Sequence, residues 1–186
     1  MSWISQIYRD IRASVTTYID SETRNYIVGP EPDLSPNALL YELDHDRYLK
    51  GSNFVNGLTS LVSTGFLPPA TQRKSVENVQ KALIALGLFE VDTSQKNWWK
   101  TPRAHWDDSS GGIAWGHYGR RTVKAVGEFQ EIAGITGGLK GNKFNIETLE
   151  ALKTALKAMV KGEDWREAVE PPVEPPVQPE EADYEV

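Results

Sequence analysis

The sequence predicts a mainly α-helical protein: a three-helix bundle, a helical segment before it, and a disordered proline-rich tail after it. Three observations carry this. Apolar residues recur at helical spacing in Val76–Leu86, Val123–Ile132 and Ile146–Met159, each run stopped or separated by glycine. The stretch Gly116-His117-Tyr118-Gly119-Arg120-Arg121-Thr122 sets a glycine turn and a capping Thr before the middle helix, and Gly134 closes it. From Glu170 onward Pro-Pro-Val-Glu-Pro-Pro replaces periodicity with proline and charge, the composition of an extended, PPII-like chain.

In chain order, Trp3, Ile4, Ile7, Tyr8, Ile11, Val15, Tyr18 and Ile19 mark one apolar face of a first helix. It can pack on its own domain, dock a protein partner, or lie in a membrane interface; its mixed charge disfavours the last. Gly29-Pro30-Glu31-Pro32 breaks the chain. Ser35-Pro36 then opens a second helix, with Ser as N-cap and Pro at the first helical position, and Leu39, Leu40, Leu43 and Tyr48 as its apolar side. Glu42, Asp44, His45 and Asp46 point around a helix rather than converging, so a solvated face is expected there. Phe54, Leu58, Leu61 and Val62 suggest a short third helix ending near Gly65. Leu67-Pro68-Pro69-Ala70 and Thr71–Lys74 look like a linker, which divides the chain into 1–70, 71–162 and a tail over 163–186.

Composition narrows the function. A formal charge of -6 with no basic patch disfavours a nucleic-acid surface. The absence of Cys excludes disulfides, zinc–thiolate sites and Cys nucleophiles. No run approaches the ~20 apolar residues of a membrane span. Met1–Asp10 lacks an unbroken apolar core, so no standard signal peptide is expected. His105, Asp107, Asp108 and His117 form the one cluster with zinc-ligand types, but no His-Glu-x-x-His or Gly-x-Ser-x-Gly pattern accompanies it. We therefore expect no metal, no cofactor and no catalysis.

The stretch from Glu90 to Ala114 loses helical periodicity and holds Trp98, Trp99 and Trp106, with Trp115 just beyond. Long structureless loops in compact domains are uncommon and often functional. Aromatic rings offer apolar faces on which a ligand can pack, and Trp adds an N–H donor. Trp98, Trp99, Trp106, Trp115 and Tyr118 thus have two open roles, ligand platform or staple onto the bundle. Arg120 and Arg121 fit either the carboxylates of a ligand or solvent.

The order of four fragments resembles a known family. Val79-Gln80-x-x-Leu83-x-x-Leu86-Gly87, Gly116-x-Tyr118-Gly119-x-x-Thr122, Ala125-Val126-x-x-Phe129-Gln130, and Gly141 followed by Thr148-Leu149-x-x-Leu152 are similar to the peptidoglycan-binding domain of bacterial and phage cell-wall hydrolases. The resemblance spans about residues 75–156 and implies a three-helix module that binds wall polymer. Two departures stand out: Trp115-Gly116 replaces the family's Asp-Gly, and most of Lys96–Gly112 is inserted where the family has a short loop. The resemblance implies a non-catalytic protein that binds peptidoglycan or a related cell-wall polymer through Trp98, Trp99, Trp106, Trp115, Tyr118 and Arg120. It would act in a bacterial cell envelope or on a phage or secreted particle. The alternative is a structural or assembly component, of phage or secretion-apparatus type, that uses the bundle and the N-terminal helix for protein contacts.

Overall fold

A computed structural model describes residues 17–19, 26–28, 31–51, 54, 57–60, 70–89, 91–94, 98–99, 115–136 and 140–171. The elements are β1 (Thr17–Ile19), β2 (Tyr26–Val28), α1 (Pro36–His45), β3 (Leu58–Thr59), α2 (Ala70–Ala85), α3 (Arg120–Ile132), β4 (Lys143–Phe144), α4 (Ile146–Lys161) and α5 (Trp165–Val169). The protein is mainly helical, as its periodicity predicts, with two short antiparallel pairings.

The pairing β1–β2 sets Thr17 opposite Val28 and Ile19 opposite Tyr26. This corrects the end of the helix expected over residues 3–19, whose earlier part lies outside the described residues. Thr17, Tyr18 and Ile19 are β-branched or aromatic, as are Tyr26, Ile27 and Val28, so both partners favour a pleated pairing over a helix end.

Helix α1 begins where Ser35-Pro36 places it, with Pro in its first turn, but the Ser35 side chain makes no cap bond. Instead Ser35 N donates to Asp33 Oδ1. The helix stops at His45, short of Tyr48, because Asp46 turns the chain. Asp46 Oδ1 accepts from Tyr48 N at 2.9 Å and Leu49 N at 3.0 Å, a side chain capping its own turn.

The third helix expected after Phe54 is replaced at Leu58–Thr59 by a strand. Leu58 pairs with Phe144 and Thr59 with Lys143 across the sheet β3–β4. A short apolar run does not distinguish strand from helix by periodicity, and here the partner strand decides.

Helix α2 starts at Ala70, so Thr71–Lys74, expected as linker, are helical. Ala70, Gln72, Arg73 and Lys74 are good helix formers, and Arg73 and Lys74 are exposed. Helix α1 packs against both α2 and α4, and α5 against α4. Leu39, Leu43, Leu49, Phe54 and Leu58 join Val79, Leu83, Val126, Phe129, Phe144, Leu149, Leu152 and Leu156 in one buried cluster. The expected boundary near Pro68-Pro69 therefore does not separate two cores. The apolar face of α1 has no covering layer of its own and finds it on α2 and α4.

Two joints of the same design close the helices. At the first, the Gln80 amide on α2 takes Gly116 N on its Oε1 at 2.9 Å and donates from Nε2 to His117 O and Thr122 Oγ1, both at 3.0 Å. At the second, Gln130 on α3 takes Gly141 N on Oε1 at 3.0 Å. It donates from Nε2 to Lys143 O at 2.8 Å and Thr148 Oγ1 at 2.9 Å. Each joint combines a helix Gln, a turn glycine at positive φ (+73° at Gly116, +83° at Gly141) and a Thr in the first turn of the next helix. Both turns need glycine: a Cβ at Gly116 would lie 2.9 Å from Arg73 O, and one at Gly141 would overlap Val123 O. Thr122, expected as the N-cap of α3, lies inside the helix, whose cap is Gly119. Buried polarity moved it there, since its hydroxyl completes the Gln80 joint.

The last helix corrects the tail. Over 163–186 a disordered segment was expected, yet Trp165–Val169 form α5, capped by Asp164, whose side chain accepts from Arg166 N. Trp165 is buried with its ring 6.1 Å from Phe129. One large aromatic side chain thus holds the chain to the bundle until Pro171, and residues after it lie outside those described.

Candidate functional site

Of the six residues singled out by sequence, three come together. Trp98 and Trp99 meet edge to face at 6.1 Å, and Trp98 lies 6.4 Å from Trp115. All three are half-buried. Trp115 occupies the turn leading into the Gln80 joint, and its indole N–H donates to Trp99 O at 3.0 Å. Trp98 donates to Glu31 Oε1 at 3.0 Å. The cluster is therefore anchored at both ends, to the residues before α1 and to the turn before α3. Trp98 and Trp115 also pack against the core, so they act as staples while keeping part of each ring in solvent.

Tyr118 is not at a surface. It is fully buried, and its hydroxyl donates to Gly141 O at 2.7 Å, linking the two glycine turns. Burial holds its phenol protonated, pushing its pKa well above the usual tyrosine value. The chain placed a large ring where the two joints meet, and the only polar atom on it found a carbonyl. Arg120 opens α3 and is exposed, apart from the Trp cluster's hydrogen bonds. Trp106 lies outside the described residues, as do His105, Asp107 and Asp108. His117 is half-buried, and its carbonyl accepts from Gln80 and Thr122. Among the described residues no group of three or more His, Asp or Glu could hold a metal ion. Nor is any helix among them long and apolar enough to cross a membrane.

A second feature was not anticipated. The end of α1, the turn after it, β3 and the start of α2 enclose an open groove of about 1040 Å³. Asp46, expected on a solvated face, is buried and organises it. Besides capping its own turn, it accepts from Ser75 Oγ at 2.8 Å on Oδ1 and from Asn78 Nδ2 at 2.9 Å on Oδ2. These bonds tie α1 to α2 through one carboxylate. Tyr48 closes one side: its hydroxyl donates to Gly57 O at 3.3 Å and accepts from Gln72 Nε2 at 2.9 Å. Outside, Tyr41 stacks on His45 with centroids 3.9 Å apart, one helical turn along α1. Beside the groove, Lys81 bridges Glu42 at 3.1 Å and Glu77 at 3.2 Å. Burial lowers the Lys81 pKa, but the Glu77 and Glu42 carboxylates outweigh it and the net shift is upward.

The sequence signal for this site was Asp46 itself, a carboxylate at a helix end followed by a tight turn. What hid it was distance, because Ser75 and Asn78 lie about thirty residues on, across the supposed linker. Comparison with protein-family models, with curated proteins and with solved structures returns no match.

Proposed function

We propose that this protein is a non-catalytic module that binds peptidoglycan or a related cell-wall polymer, in a bacterial envelope or on a phage or secreted particle. The observation that carries the reading is the anchored cluster of Trp98, Trp99 and Trp115, whose rings are half-exposed and whose positions are set by hydrogen bonds at both ends. A polymer of sugar rings and short peptides is recognised by shallow contact, and pre-positioned aromatic rings supply it without losing rotamer freedom on binding. The resemblance to the peptidoglycan-binding three-helix module supports the same reading. Its motif residues Gln80, Gly116, Thr122, Gln130, Gly141 and Thr148 are the members of the two joints, and they explain why that pattern recurs as a unit.

Co-sedimentation with purified sacculi tests it. The wild type is expected to pellet with sacculi. Trp98→Ala combined with Trp99→Ala is expected to weaken binding by roughly 2 kcal/mol or more while the helical circular-dichroism signal stays near wild type. Wild-type protein that stays in the supernatant would sink the reading and leave a structural or assembly role, with protein partners, in its place.

A further inference from the structure

We propose that the corner formed by Trp98, Trp99 and Trp115, with Glu31 on its rim, binds a quaternary ammonium group. That assignment names a ligand class for the cluster and rests on its being a contact surface. The rings do not lie in one plane. Trp99 stands at 78° to Trp98 and Trp115 at 56° to it, with centroids 6.1 Å and 6.4 Å away. Two planes meeting this steeply leave a concave corner between their faces, whichever ring is taken as the stem. The spacing matches the ~6 Å within which a ring face holds a cation, so one rounded group can address two rings. A flat sugar ring stacks on one face at a time.

The polar edges of two of these rings are already spent. The Trp98 indole N–H donates to Glu31 Oε1 at 3.0 Å, and that of Trp115 to Trp99 O at 3.0 Å. These two indoles therefore offer a ligand their negative faces and no donor. The first of the two bonds also fixes a carboxylate beside the rings. Glu31 is exposed, and among the described residues no cation pairs with it. Negative faces next to a carboxylate, in a chain of formal charge -6, select for positive charge. An anion would be repelled by Glu31 and would find no donor on Trp98 or Trp115. A neutral apolar group would fill the corner without answering the carboxylate. A primary ammonium is held too tightly by its hydration shell for half-exposed rings to replace it. An alkylated ammonium brings C–H surface to the faces and its charge to Glu31.

Choline and its uncharged carbon isostere, 3,3-dimethylbutan-1-ol, separate charge from shape. Each is titrated at low salt into the full ¹⁵N-labelled chain and followed through the indole N–H resonances. Choline is expected to shift those of Trp98 and Trp115 saturably, with a Kd on the order of 1–10 mM. The isostere is expected to bind at least about fivefold more weakly. Glu31→Gln is the second test, because its amide oxygen still accepts from Trp98 while the charge is gone. It is expected to weaken choline binding about fivefold with an unchanged thermal transition. No saturable shift with choline, equal affinity for the two ligands, or a folded Glu31→Gln that binds choline like wild type each overturns the proposal. The ligand comparison uses the wild type, so it decides even where the variant fails to fold. Sacculi take no part, so wall binding and ammonium binding fail separately. Protein that pellets with sacculi but ignores choline keeps the wall reading and overturns the ammonium site. Protein that binds choline but stays in the supernatant does the reverse.

Discussion

Gln80 and Gln130 each use one amide to accept from a turn glycine and to donate to a carbonyl and a threonine. No other side chain of that length and shape does both. A carboxylate at position 130 would still accept from Gly141 N but would face the Lys143 carbonyl with no hydrogen between them. Gln130→Glu is therefore expected to lower stability by roughly 1–3 kcal/mol or more, read as a shift in the denaturant midpoint at constant slope. Tyr118 and Lys81 make an alkaline prediction. Both have folded pKa values raised above their unfolded values of 10.0 and 10.5. A raised value means that the unfolded chain releases its proton first as pH climbs. Their stability contribution is then complete below about pH 10 and is lost above it. Tyrosinate absorbance should show Tyr118 resisting ionisation until the protein unfolds, with the less buried Tyr48 delayed to a smaller degree. Tyr118→Phe should remove that delayed fraction; its persistence in the variant would assign the resistance to another ring.

At the scale of elements, the three long helical stripes were legible because each repeats its apolar face over three or more turns. Short elements were not. Leu58–Thr59 became a strand because Lys143–Phe144 offered a partner, and Thr17–Ile19 because Tyr26–Val28 did. The first pairing is long-range and leaves no local trace that periodicity could catch, whereas the second is local and its signal is residue type, not period. The same blindness produced the supposed linker at Thr71–Lys74 and the supposed boundary before it. The structure reverses what that boundary implies for fragments. A chain starting at Thr71 loses Leu39, Leu43, Leu49, Phe54 and Leu58, none more than 3% exposed, and the β3 partner of β4. At roughly 2–5 kcal/mol for each of these five buried side chains, the loss is as large as or larger than the ~5–15 kcal/mol that holds a domain together. Fragment 71–161 should therefore fail to melt cooperatively, whereas fragment 31–171 should do so. A sharp transition in the shorter fragment would mean that α1 is an appendage.

For the whole molecule, three of the tryptophans singled out in the sequence, Trp98, Trp99 and Trp115, gather in space, and of the two roles left open for Tyr118 the structure takes the buried one. Its hydroxyl bonds the second glycine turn, at Gly141, which the sequence around Tyr118 does not show. The α1–α2 groove was illegible because its parts, Asp46, Ser75 and Asn78, meet only once α1 folds back on α2. The Gln80 joint has a further consequence for how such a chain can change. The point at which the backbone re-enters the bundle, Gly116, is chosen by a side chain on α2 and not by the residues between them. Lengthening that stretch costs only about 0.6 kcal/mol for each doubling. The architecture thus carries its own insertion port. Sequence between Trp99 and Trp115 can drift, grow or be exchanged under selection for a new target, while Leu86, Leu88 and Phe89 stay in the core and the hinge that folds the protein stays under separate control.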